Sequence, residues 1–176
     1  MLQIQHLSKT YRGGKKAVHD LSLEVLAGDI YGFIGHNGAG KTTTLKACTG
    51  ILTFDQGEIL IDGHSIQSEP VLCKSKMAFI PDNPELYTFL TGIQYLSFIC
   101  DIYGVSSADR QRRVDEYAKR LELFGNLGDL ISSYSHGMKQ KLAIIAALAH
   151  EPKLLILDEP FVGLDPKAAF TVKAMM

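Results

Sequence analysis

The chain has 176 residues, enough for one domain with a sizeable core, and 46% of them are hydrophobic against 21% charged, the balance of a folded protein. Its 18 lysines and arginines nearly cancel its 19 acids, so no charge field argues for nucleic acid or a membrane surface. Three cysteines, Cys48, Cys73 and Cys100, lie far apart with neither disulfide nor metal spacing, as expected of reduced thiols in a cytosolic protein.

The opening residues, MLQIQHLSKTY, lack a basic stretch followed by a long apolar one, so no signal peptide is expected. Apolar residues alternate over residues 2–7 and 21–25, which predicts two half-buried strands of an antiparallel edge, joined by a turn at Arg12-Gly13-Gly14-Lys15-Lys16. Residues 30–35 (IYGFIG) form a short apolar run that stops at glycine, the pattern of a fully buried parallel strand. After a glycine-rich turn, residues 41–49 read as a helix with Gly50 as its stop. Residues 57–62 (GEILID) and Gly63 make a strand and turn, and residues 77–80 (MAFI) a buried strand ended by Pro81.

From Thr91 to about Phe124 the pattern turns helical. Val114, Tyr117, Leu121 and Phe124 recur at spacings of three and four, opposite a charged face, as in an amphipathic helical insert. The longest uniformly apolar run, residues 142–149, falls far short of the roughly 20 residues that span a bilayer. Residues 154–157 resume the sheet, and Asp165-Pro166 reads as an N-cap and first-turn proline opening a last helix.

Gly35-His36-Asn37-Gly38-Ala39-Gly40-Lys41-Thr42 fits G-x-x-x-x-G-K-[ST] in full, with an apolar run before it and a helical pattern after. Glycines let successive N–H groups converge on phosphate oxygens, and the positive end of the following helix adds to the attraction. Lys41 is then expected to reach the β- and γ-phosphates, Thr42 to ligate Mg²⁺, and Thr43 to complete the binding loop. Residues 154–157 end in Asp158, which a parallel strand would deliver beside that loop to hold Mg²⁺. Glu159 then follows as the group that orients and deprotonates water.

Together these pieces resemble the nucleotide-binding domain of ABC transporters. In that family an L-S-G-G-Q pattern opens a helix upstream of the acidic strand. Tyr134-Ser135-His136-Gly137-Met138 occupies that slot and keeps the serine and the second glycine. The resemblance implies that Ser135 and Gly137 serve the γ-phosphate of an ATP held by a second ATP-binding subunit. Gly163-Leu164-Asp165 looks like the family's D-loop, and Tyr11 matches the aromatic that stacks on adenine. Where the family has glutamine after the strand at 77–80, this chain has Pro81-Asp82, so Asp82 is left between a metal ligand and a turn cap.

The fold so implied is α/β: a P-loop NTPase (RecA-like) parallel-sheet core with an antiparallel β edge and a helical insert. The expected layout is one domain over residues 1–176, with edge and core at 1–85 and 139–176 and the helical subdomain at about 86–138. No histidine follows Asp165, where the family carries a switch histidine, so a truncated domain with negligible turnover on its own is expected. The implied ligands are ATP and Mg²⁺, and the implied partners a second ATP-binding subunit and a transmembrane permease, with no nucleic acid. The implied place is the cytoplasmic face of a membrane.

Pro81-Asp82-Asn83-Pro84-Glu85-Leu86-Tyr87 with Leu90-Thr91-Gly92 looks most like bacterial export- or multidrug-type cassettes. Two alternatives stay open: a soluble ATPase of the translation or repair class, and a piece that binds nucleotide without turnover.

Overall fold

The structure, a computed structural model, describes residues 1–176. The chain forms two compact units, Met1–Ala78 with Lys153–Ile156, and Phe79–Pro152 with Leu157–Met176.

The first unit is built on an antiparallel sheet of β1 (Leu2–Thr10), β2 (Lys16–Val25), β3 (Gln56–Ile61) and β4 (His64–Ser65), in the order β2-β1-β3-β4. Leu2 stands between Val25 and Ile61, and Ile4 between Leu23 and Ile59. The period of two gives one apolar face with Ile4, Ile59 and Ile61, and a register shift between Ile4 and Leu7 returns Leu7, opposite Leu21, to it; all four are fully buried, each worth roughly 1.5–3 kcal/mol. Asp62 and Gly63, both at positive φ (52° and 81°), make the two-residue turn between β3 and β4. Helix α1 (Lys41–Cys48) buries Thr44, Ala47 and Cys48, and the short α2 (Pro70–Ser75) begins on its proline. That second helix carries no periodic signal in the sequence.

One expectation fails here. Residues 30–35 form no strand, and Ile30 and Ile34 are 96% and 95% exposed. The reason is pairing. A strand exists only where a neighbour takes its N–H and C=O groups, and this run is hydrogen-bonded into neither sheet. Apolarity marks a segment that burial would favour; it does not supply the partner.

β5 (Met77–Ile80) and β6 (Leu154–Leu157) pair with each other in parallel. The Lys76 carbonyl accepts from the amides of Lys153 (2.8 Å) and Leu154 (3.1 Å) at one end, and Ile80 O accepts from Asp158 N (2.9 Å) at the other. Parallel pair and antiparallel edge agree with the predicted α/β class.

In the second unit the predicted helical stretch is two helices. α3 (Gly92–Ile102) starts on a full capping box between Thr91 and Gln94. Gly104, at φ 65°, ends that stretch, and Ser106 caps α4 (Ser107–Arg120) by accepting from Asp109 N at 3.1 Å. The break comes from a glycine stop and a new serine cap, which the continuous apolar spacing concealed. Val114, Ala118 and Leu121 bury the inner face of α4, while α5 (His136–Ala149) buries Leu142, Ile144 and Ile145. Arg113 ties α4 to the end of α5, donating to Ala149 O at 2.8 Å and pairing with Glu151 at 2.8 Å. α6 (Pro166–Met175) opens as read, the Asp165 carboxylate accepting from Ala168 N at 2.8 Å. No helix is long and apolar enough to cross a membrane.

Candidate functional site

The candidate residues fall into two groups. Tyr11 and residues 35–43 belong to the first unit; Asp82, Ser135, Gly137, Asp158 and Glu159 belong to the second.

In the first unit the loop before α1 turns on its glycines. Gly38 and Gly40 have φ of 83° and 90°, and Ala39 N donates to His36 O at 3.1 Å. Gly40 is also sterically required, because a Cβ there would run into the carbonyl oxygen of Ala17 on β2. Its own carbonyl takes two bonds of 2.9 Å, from Thr44 N and Thr44 Oγ1, which lock the first turn of α1. Lys41 Nζ donates to Gly35 O (2.6 Å) and His36 O (3.1 Å), so the ammonium lies over the loop. Asn37, Thr42 and most of the loop backbone are exposed. Tyr11 is half exposed, and its hydroxyl shares a hydrogen bond of 3.2 Å with Thr43 Oγ1.

This donor set suits a polyphosphate: free amides on left-handed glycines, the positive end of a helix and one ammonium. The exposed Thr42 hydroxyl and the Asp158 carboxylate are hard oxygen donors of the kind Mg²⁺ takes.

In the second unit, Asp158 follows the end of β6. Its amide is bound to Ile80 at the end of β5, and the residue is 7% exposed. Glu159 is exposed and has a left-handed backbone, φ 50°. Asp82, two residues beyond β5, accepts from Asn83 N at 2.9 Å through one carboxylate oxygen, the geometry of a turn cap. Ser135 is the N-cap of α5, its Oγ accepting from Met138 N at 3.2 Å, which leaves the hydroxyl proton free to donate. Gly137 meets the D-loop segment: a Cβ on it would stand 2.7 Å from Gly163 O.

Three side chains here have roles that the sequence reading did not assign. Tyr134 is buried, and its hydroxyl donates to Asn126 O at 2.6 Å against Gly92, while the following Ser135 and His136 are exposed. Thr44 holds the loop end as described. Gln140 is fully buried and donates to Pro160 O at 3.2 Å. Its sequence signal was available, since it stands four and seven residues before the buried Ile144 and Ala147. Nothing local marks Tyr134.

Comparison with known proteins gives a consistent picture. The family model described as ABC transporter matches residues 18–162. The uncharacterized ABC transporter ATP-binding protein YhcH of Bacillus subtilis is 38% identical, over 94% of this chain and 53% of its own length. The SkfA peptide export ATP-binding protein SkfE of Bacillus subtilis is 39% identical, over 94% and 68%. A solved ATP-binding subunit of an ABC transporter superposes with a TM-score of 0.95 at 35% identity, covering 100% of this chain and 73% of that one. The chain spans about half the length of several of the curated relatives it matches.

Proposed function

This chain belongs to the ABC transporter family as one of its ATP-binding domains, and from that premise we propose that it binds and hydrolyses ATP to drive a membrane transporter of export type. The observation that carries the reading is the phosphate loop. A complete motif there turns on left-handed Gly38 and Gly40 at the head of α1, under the Lys41 ammonium.

In this reading the amides of residues 35–43 and Lys41 bind the phosphates, with Tyr11 against the base. Thr42 and Asp158 would hold Mg²⁺, whose charge would offset that of the phosphates. Asp82, with one carboxylate oxygen taken by Asn83 N, would have the other for the same ion. Glu159 takes a proton from water as the water oxygen bonds to the γ-phosphorus and the bond to the departing ADP breaks. Ser135, as the exposed cap of α5, donates its hydroxyl proton to the γ-phosphate of an ATP on a second subunit, and the amide of Gly137 assists.

Likeness to a peptide export protein supports the export direction. Membership of the family supports a permease partner and, through it, a position at the cytoplasmic face of a membrane.

Two variants test this in the assembled protein. Lys41→Ala removes a charge-assisted contact and is expected to weaken ATP binding by about 1.5–3 kcal/mol by calorimetry. Glu159→Gln is expected to bind ATP as before while phosphate release falls by about 10²–10⁴. Unchanged ATP affinity in the first, or turnover near wild type in the second, removes the respective role.

A further inference from the structure

Gln140 is fully buried in α5 yet half satisfied. Nε2 donates to the Pro160 carbonyl at 3.2 Å, while Oε1 has no hydrogen-bond partner in the protein. A buried amide in that state weakens folding relative to an unbranched apolar side chain of the same length. Stability therefore does not account for a glutamine here.

What the amide holds does. Pro160 follows Glu159, whose φ of 50° is a conformation that a glutamate keeps only where its surroundings impose it. Proline has no N–H, so its carbonyl is the one backbone polar group by which the chain just after Glu159 can be fastened. The turn then closes with Val162 N donating to Glu159 O at 3.1 Å. Further along, Gly163 (φ 79°) lies under the His136 ring, its carbonyl lies against Gly137, and Lys141 Nζ is 3.6 Å from the Asp165 carboxylate. The first turns of α5 thus grip residues 160–165, and Gln140 holds the end next to Glu159.

We propose that Gln140 is a positioning residue: by holding the Pro160 carbonyl it maintains the left-handed Glu159 backbone that aims the carboxylate at water. The inference rests on the reading of Glu159 as the base.

A double-mutant cycle on the assembled protein, with Gln140→Met and Glu159→Gln measured by single-turnover hydrolysis, tests it. Methionine keeps length and helix-forming character and loses the donor. Gln140→Met alone is expected to lower the rate of hydrolysis about 10²-fold, as small misplacements of a reacting group do. ATP affinity is expected to stay within about two-fold of wild type, since only the chemical step is touched. In the Glu159→Gln background the same substitution is expected to cause no further loss.

Multiplied losses in the two backgrounds, or an unaffected rate in Gln140→Met, overturn this proposal alone. A wild-type rate in Glu159→Gln overturns the base assignment and this proposal with it. If Gln140→Met loses its fold, seen as lost ATP binding, Gln140→Leu replaces it in the cycle. That variant likewise has no donor for the Pro160 carbonyl, keeps helix-forming character, and is held to the same two outcomes.

Discussion

The Cα of Gly40 faces the carbonyl oxygen of Ala17 with no room for a side chain between them, and φ at Gly40 is 90°. Gly40→Ala therefore combines a clash with a left-handed alanine, and the latter alone costs about 1–2 kcal/mol. The expected result is lower stability by at least that amount in urea unfolding, and weaker ATP binding, because the loop must move off β2. Gly38→Ala is the control: its φ is 83°, but a Cβ there meets nothing, so only the backbone penalty applies. Equal effects of the two substitutions would remove the steric role of Ala17.

The Tyr134 hydroxyl, bound to Asn126 O at 2.6 Å, occupies the space that a side chain at Gly92 would need. Tyr134→Phe is expected to destabilise by about 1–3 kcal/mol, because the Asn126 carbonyl loses its partner. Gly92→Ala is expected to be worse, since its Cβ also meets Leu127 backbone atoms at 3.3 Å. Removing the hydroxyl makes room for that methyl group, so the double variant should lose less than the sum. Strict additivity in urea unfolding would show that the two positions do not share the space.

Lys76 (2.7 Å) and then Lys153 (3.0 Å) hold the Asp62 carboxyl down from 3.8 to about 2. A folded-state value below the unfolded one means that the carboxylate supports folding above about pH 4, and that this support fades as pH falls from 4 through 2. Asp62→Asn tolerates the left-handed turn and removes the charge. The stability gap between wild type and variant is expected to be present at pH 6 and to close near pH 2. A gap constant over that range would exclude the ion pairs as its source.

Burial pushes the Cys48 thiol up to about 12, and burial likewise raises Cys73 and Cys100. All three are buried and free of disulfides. Since the thiolate is the reactive form, alkylation of the native protein at pH 8 is expected to be slow at all three and fast in denaturant, followed by mass spectrometry. Rapid native labelling of Cys48 would mean that α1 opens readily.

Local chemistry determined much of this protein from sequence alone. The phosphate loop, the Ser135 and Asp165 caps, the Gly63 turn and the alternation in β1 each depend on residues within a few positions of one another. Backbone sterics, capping and period-two burial act over that range, so these features survive without knowledge of the rest of the chain. Tertiary structure decided what depends on distant partners. Residues 30–35 have the apolarity of a buried strand and no neighbour to pair with, so Ile30 and Ile34 face solvent. The need for glycine at position 40 comes from Ala17, and at position 92 from Tyr134. Gln140 meets Pro160 only because α5 packs against the segment after β6. Hydrogen bonding and close packing are properties of pairs, and a linear sequence names the members of those pairs without saying which of them meet.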